Sequence, residues 1–295
     1  MRFLTVFTPT YNRRDLLPRL YDSLVAQTDH DFVWLVVDDG STDDTEGYIR
    51  DLQSGETLFS IEYYRKENGG LHTGYNEAIK HLSSELCLCC DSDDWLPSYC
   101  VERVRTIWRD RGGEECAGII GLDCRKDGSV IGSLLPEDDL IDMNELFITG
   151  RLVGDKKLVV RSELYKALPP MRTICGEKNF NPNYLNVQIS EEHLWIATNE
   201  CLCCVEYQPG GMTAGIYKQY VDSPNSFMEM RRLYMGLKRA TFVFKCRHAV
   251  HYDAECLLAR RSFDMFGSSS PSRALTALLS PAGFLLYLII KAKVR

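Results

Sequence analysis

Four short apolar runs, at residues 3–7, 32–37, 60–64 and 86–90, recur between polar, turn-forming stretches over the first hundred residues. The last of them, Leu86-Cys87-Leu88-Cys89-Cys90, has no alternation of apolar and polar positions. That is the pattern of a strand covered on both faces. Between the first two runs, Leu16, Leu17, Leu20, Tyr21, Leu24 and Val25 repeat at helical spacing. Ser41 or Thr42 is a candidate N-cap for a helix reaching about residue 52, and Asn68-Gly69-Gly70 precedes a helical pattern over 72–82. Thr8-Pro9-Thr10-Tyr11-Asn12-Arg13 reads as a loop because Pro9 lacks an amide donor, and Pro97 reads as the first residue of a further helix. Strand and helix therefore alternate, which predicts an α/β fold with a mostly parallel sheet, covered by helices through right-handed crossovers.

Loops at the carboxyl ends of such strands are where open α/β sheets bind ligands. Asp91-Ser92-Asp93-Asp94 directly follows the buried run. Acids at i and i+2 can both approach one hard cation, and Mn²⁺ or Mg²⁺ takes its remaining ligands from water and substrate phosphates. An Asp-x-Asp triplet alone is equally a solvated turn. The preceding loops add donor-site candidates. Asp38 can accept from a base imide and Tyr11 offers a flat face to a base, while Gly69 and Gly70 permit backbone approach to phosphate at a helix start. Taken singly, Asp38 can equally cap a helix, Tyr11 pack in the core and the glycine pair merely turn the chain.

In order and spacing, Thr8-Pro9-Thr10-Tyr11-Asn12, Val36 through Thr45 with Asp38-Asp39-Gly40-Ser41, Asn68-Gly69-Gly70 with Asn76, and Asp91-Ser92-Asp93-Asp94 resemble the family 2 inverting glycosyltransferases of GT-A fold. The resemblance implies a Rossmann-like, mostly parallel sheet, a nucleotide-sugar donor and a divalent metal on its diphosphate. It implies that Thr8, Pro9, Tyr11, Asn12, Asp38, Asp39, Gly69, Gly70, Asn76 and Asp91 line the donor site. Asp93 becomes the principal metal ligand, with Asp91 reaching ribose or metal.

Further along, Gly154-Asp155-Lys156 and Cys175-Gly176-Glu177-Lys178-Asn179-Phe180-Asn181-Pro182 resemble family 2 enzymes that build bacterial capsular and lipopolysaccharide glycans. In that subset an acid commonly follows the Pro at a helix start; here Asn183 stands there, and an amide cannot take a proton from an acceptor hydroxyl. Glu177, then Glu191 and Glu192, are the candidate bases, the last two at either a helix start or a solvated turn. Asp155, Lys156 and Lys178 are candidate acceptor contacts or ordinary caps and surface charges. The activity this implies is metal-dependent transfer of a sugar, by default from a UDP-sugar, to a glycan or lipid-linked acceptor. Two other readings stand beside it: a catalytically silent, membrane-associated nucleotide-sugar scaffold, and a haloacid-dehalogenase-type phosphatase. Against the phosphatase, three nucleotide-binding units precede the acidic loop and Asp94-Trp95 follows the second acid.

Composition narrows the picture. A chain of 295 residues, 45% apolar, can bury a core without crosslinks. Its 12 cysteines cluster as Cys87, Cys89, Cys90 and Cys201, Cys203, Cys204 in strand-like runs. They read as packed thiols of a reducing compartment in preference to a zinc site. The net charge of −7 argues against a nucleic-acid partner, but residues 231–295 hold 12 Lys or Arg against 3 Asp or Glu. That uneven charge suggests an anionic membrane surface. Residues 280–295 are an apolar stretch ending in Lys291, Lys293 and Arg295, too short to span a bilayer and interrupted by Pro281, so they are expected to lie on the membrane. Packing on the domain or across a dimer is the alternative. The expected organisation is a domain over 1–230, its donor half (1–116) giving way near 117–128 to an acceptor half (117–230), then a basic helical region over 231–295. The location expected is cytoplasmic, peripheral on the inner face of the plasma membrane.

Overall fold

The computed structural model describes residues 2–206, 215–267 and 271–294. The chain divides into two compact units, residues 1–170 with 192–208, and residues 171–191 with 209–295. Residues 171–191 thus group with the C-terminal helices, a division that differs from the one expected at residue 231.

The first unit is one eight-stranded sheet. Its strands are β1 (Leu4–Thr10), β2 (Phe32–Asp38), β3 (Ser60–Arg65), β4 (Leu86–Cys89), β5 (Cys116–Cys124), β6 (Leu140–Ile141), β7 (Lys156–Arg161) and β8 (Leu194–Cys204), in the order β3-β2-β1-β4-β7-β5-β8-β6. β1 pairs in parallel with β2 and β4, β2 with β3, and β5 with β8; β7 and β6 run antiparallel to their neighbours. The helices of this unit are α1 (Leu17–Val25), α2 (Thr45–Ser54), α3 (Leu71–His81), α4 (Cys100–Arg111), α5 (Met143–Ile148) and α6 (Ser162–Ala167). β1 and β2 are buried at every position, as strands covered on both faces must be. α1 lays Leu17, Leu20 and Leu24 onto the sheet, each contributing about 1.5–3 kcal/mol by leaving water.

Three local expectations are corrected. Thr8, Pro9 and Thr10 belong to β1, paired with Val36, Val37 and Asp38. Phe7 turns its carbonyl toward β4, so Pro9, two residues on, faces the same side; β4 has ended there at Cys89, and no donor is missed. α2 begins at Thr45 because the Asp43 carboxylate accepts from the Thr45 amide (3.2 Å) and hydroxyl (2.6 Å), a local bond that delays the helix. Pro97 lies before α4, whose first residue is Cys100.

The second unit is helical: α7 (Asn183–Ile189), α8 (Ile216–Asp222), α9 (Pro224–Gly236), α10 (Phe242–Leu258) and α11 (Arg273–Val294). α11 runs through Pro281 for 22 residues. At 1.5 Å per residue that is about 33 Å, so the expected interruption is absent and the helix is long and apolar enough to cross a membrane by length and composition. Leu275, Thr276, Gly283 and Ile290 are its buried positions, and Gly283 lets it approach Asp253 and Val250 of α10 closely. Arg295 of the expected basic end lies outside the described residues.

Candidate active site

The carboxyl ends of β1, β2 and β4 all open on the same edge of the sheet, which places the 10–13, 38–43 and 90–95 loops together. Asn12 stitches the first two. It adopts a left-handed conformation (φ 52°), which Asn tolerates, and its Oδ1 accepts from the amides of Thr42 (2.7 Å) and Asp43 (3.4 Å). Its own amide donates to the Ser41 hydroxyl at 2.9 Å.

Asp38 and Asp39 serve as loop organisers. Asp38 is fully buried; its Oδ1 accepts from the Ser41 amide (2.7 Å) and its Oδ2 from the Tyr63 hydroxyl (2.6 Å). Each oxygen thus accepts one bond within the protein and keeps a second lone pair. The Asp39 carboxylate takes the amides of Gly69 (2.9 Å) and Gly70 (2.7 Å), with Lys66 Nζ at 2.6 Å and Asn68 Nδ2 at 3.1 Å. Gly70 (φ 95°) turns its amide inward before α3. The amides expected to bind phosphate therefore bind Asp39, which occupies that anion nest itself. Thr8 is likewise turned into the core, where its hydroxyl accepts from Trp34 Nε1 at 3.0 Å. Pro9 is buried beneath Gly74 of α3. Asn76 is half-buried on α3. Tyr11, by contrast, is 45% exposed and its ring face remains available.

The acidic loop closes this edge. Arg13 reaches Asp93 Oδ2 at 3.3 Å, while Arg19 of α1 donates to the Asp93 carbonyl, pairs with Glu206 and lies 4.4 Å above the Trp95 ring. Asp91 is crowded by protein yet still reaches solvent; that crowding raises its pKa, and the charge of Asp93 adds to it. Asp94 is buried and pushed up to about 7, first by burial and then by Asp91, Asp93 and Asp123, against the pull of Lys157. Lys157 is a buried cation beneath them, its Nζ donating to the Cys89 carbonyl at 3.2 Å and lying 3.9 Å from Asp123 Oδ1. Burial opposes its charge, but Cys203, Asp123 and Asp94 hold its pKa above the ordinary lysine value.

The like charge of Asp93 beside Asp91 is what a divalent cation relieves, so Asp91 and Asp93 fit such an ion. Among the described residues no group of three His, Cys, Asp or Glu is placed to hold a metal unaided. Mg²⁺-type sites that borrow substrate phosphates need only one or two carboxylates. Lys66, Arg19 and Lys157 were not singled out from the sequence, and Asn68 and Arg13 entered only as members of a motif and a loop. Each acts on an acid some thirty or more positions away, or across adjacent strands, and nothing local signals that.

Chain direction sorts the remaining candidates. β8 runs parallel to β5, starting opposite Cys116 and ending opposite Trp95 at the acidic edge. Glu192 precedes its start, so at 3.3 Å per residue along β5 from Cys116 to Cys124 it sits roughly 26 Å or more from that edge. Glu191 and Glu192 form a turn after α7, the solvated alternative to a helix start, and Glu191 accepts the Lys238 amide at 2.9 Å. In the second unit Glu177 is buried and caps α9, accepting from the amides of Asn225 (2.9 Å) and Ser226 (2.7 Å), the Ser226 hydroxyl and Asn225 Nδ2. Asn183 does begin α7, as the resemblance implied for that position. Asp155, exposed before the antiparallel β7, stands on the acidic edge. Lys156 next to it donates to the carbonyls of Ile131 (3.2 Å) and Val153 (2.8 Å), and Lys178 is exposed on the second unit. A surface hollow of about 500 Å³ lined by Ser84, Trp108, Arg161 and Lys166 lies at the opposite edge, away from these acids.

Comparison with known proteins bears on this constellation. Residues 5–114 match Glycosyl transferase family 2. A Campylobacter jejuni protein named GalNAc(5)-diNAcBac-PP-undecaprenol beta-1,3-glucosyltransferase is 26% identical over 201 residues, 65% of this chain and 58% of that one. The chain spans 14% and 24% of the length of two other curated relatives, so it covers less than two thirds of each. The crystal structure of S. aureus TarS 1-349 with UDP-GlcNAc superposes with a TM-score of 0.61 at 17% identity, covering 89% of this chain and 73% of that one. Mannosyltransferase PcManGT from Pyrobaculum calidifontis, with GDP-Man and Mn2+, gives 0.58 at 17% identity over 99% and 82%. The matched residues carry the Asp38-Asp39 loop, the glycine pair and the acidic loop, so residues 5–114 are a family 2 glycosyltransferase segment within a chain of GT-A-like fold.

Proposed function

We propose that the protein is a metal-dependent inverting glycosyltransferase that takes a sugar from a nucleotide-diphosphate sugar, by default a UDP-sugar, to a glycan or lipid-linked acceptor of a bacterial surface polysaccharide. The observation that carries this reading is the acidic loop: Asp91 and Asp93 stand at the carboxyl edge of the parallel strands, the edge on which the loop bearing the exposed Tyr11 also opens. A base stacked on Tyr11 would direct its diphosphate toward these acids. Mn²⁺ or Mg²⁺ held by Asp93 and Asp91 would supply Lewis-acid stabilisation to the departing diphosphate. Arg13 and Arg19 fix the loop carrying the ligands, and Lys157 offsets the acids' mutual repulsion from below. Asp155, on the same edge, is proposed to orient the acceptor hydroxyl. Glu177, with its oxygens committed to α9, is proposed as a positioning residue of the acceptor-side helices.

α11 is proposed to bind an anionic membrane surface. Leu278, Phe284, Leu285, Leu288 and Ile289 are exposed along it, and Lys291 and Lys293 follow. Its opposite side packs on α10, a helix bearing Lys245, Arg247, His251 and Asp253, which favours lying in the interface over crossing it. Lipid-linked acceptors would then be met where they reside, and the Campylobacter relative's name, which includes an undecaprenol-linked glycan, supports that choice. The function is tested by turnover of a panel of UDP-, GDP- and dTDP-sugars with Mn²⁺. Wild type should release nucleotide diphosphate only with metal, and Asp93→Ala should lose the activity while keeping its fold. Binding without turnover of any donor would support the silent scaffold instead.

A further inference from the structure

β8 ends on Cys201-Leu202-Cys203-Cys204, and its pairing with β5 slips there. Leu122 stands opposite Cys201, Asp123 opposite Cys203 and Cys124 opposite Cys204, so Leu202 is inserted as a bulge. In a regular strand, residues three apart face opposite sides. The bulge cancels one step of that alternation and brings Cys201 and Cys204 onto the face of Cys124. The three thiols meet there, with Cys201 in hydrogen-bond reach of both Cys204 and Cys124. Cys203 faces the other way, into the core. Cys201 and Cys204 are partly exposed; Cys124 is buried. At this point the cysteines do not pack as separate thiols on alternating faces of the strand.

We propose that Cys201 and Cys204 form a peroxide-sensitive dithiol, Cys204 supplying the attacking sulfur and Cys201 the resolving one, whose oxidation is transmitted to the acidic loop. The Cys201 thiol, which donates to the Cys203 carbonyl at 3.3 Å, also lies within reach of the Cys204 sulfur, and that neighbour lowers the Cys204 pKa to about 7, against its burial, while the Cys201 pKa is held up. The Cys204 thiolate attacks a peroxide oxygen. The O–O bond breaks, hydroxide leaves to become water, and Cys204 is left as a sulfenic acid. Cys201 sulfur then attacks Cys204 sulfur; the S–S bond forms, the S–O bond breaks, and the hydroxyl departs as water with the Cys201 proton. The dithiol loses two electrons and peroxide is reduced to water.

The transmission path is backbone. The Trp95 amide donates to the Cys204 carbonyl at 3.1 Å and the Cys204 amide to the Trp95 carbonyl at 2.8 Å. Trp95 follows Asp93-Asp94 directly, so a change in the Cys204 backbone is felt at the metal-loop peptide. This inference does not depend on the sugar, the acceptor or turnover.

The test treats the reduced full chain at pH 7 with limiting hydrogen peroxide, then alkylates, digests without reductant and reads peptide masses. The peptide containing residues 201–204 should lose two hydrogens, and do so roughly tenfold faster than the exposed Cys175 is oxidised. Cys201→Ser should stop at a Cys204 sulfenic acid trapped by dimedone, and Cys204→Ser should abolish the reaction with unchanged circular dichroism. Amide exchange at Trp95 should change on oxidation of wild type and not of Cys204→Ser. Oxidation of Cys175 first, a Cys204–Cys124 link in place of Cys204–Cys201, or Trp95 exchange indifferent to oxidation would overturn the proposal.

Discussion

Asp39 holds a charge, two glycine amides and an asparagine amide in one buried carboxylate. Removing one partner from such a group leaves the rest desolvated without compensation. Asp39→Ala should therefore lower the stability of the first unit by about 3 kcal/mol, read as a drop in the denaturation midpoint with an unchanged slope. Asp39→Asn, which keeps an acceptor, should lose less. The sequence marks Asp38-Asp39 and Gly69-Gly70 as site-forming, but not that one would fill the other. The two loops lie 30 residues apart, and which oxygen meets which amide is decided by strand order and by the turn at Gly70. Glu192 shows the same limit. Its acidity is visible in sequence, whereas its distance from the acidic loop follows from β8 running parallel to β5.

At the scale of elements, β1, β2 and β4 were legible because burial on both faces suppresses alternation, and the run at 60–64 became the half-exposed edge strand β3. The misplaced helix starts have local causes: Asp43 diverts the chain before α2, and residues 98–99 form a turn before α4. α11 was read as interrupted because Pro281 ends many helices, yet the helix passes it, with α10 packed along it. Gly283 is where that packing is tightest; an added methyl would meet Asp253 Cβ inside contact distance. Alanine would gain about 1 kcal/mol in helix propensity, but overpacking against α10 costs about 1–3 kcal/mol. Gly283→Ala is thus predicted to lower the melting temperature of the second unit.

Asp253 itself is fully buried, and among the described residues neither of its oxygens has a hydrogen-bond partner; burial pushes its pKa up to about 8. An acid raised in the folded state binds more protons folded than unfolded between its unfolded pKa of about 3.9 and 8, so stability falls as pH rises through that window. Melting scans should show the second unit losing stability from pH 6.5 to 8. Glu255, raised to about 7 by burial, adds the same sign at the lower end, so Asp253→Asn should flatten the upper part of the slope.

At the scale of the whole molecule, an acidic body and a basic, apolar C-terminal helix were apparent from charge alone. Liposomes containing anionic lipid should retain the full chain at low salt and release a variant lacking residues 280–295; equal retention of both would remove the membrane assignment. The donor site tests the account most directly. Titrating UDP-sugars into the protein by calorimetry, with Mn²⁺ and then with chelator, should show binding that requires the metal and vanishes in Asp93→Ala while that variant's melting temperature stays near wild type. Equal affinity with and without the cation, or full affinity in Asp93→Ala, would contradict a diphosphate held through a metal against Asp91 and Asp93.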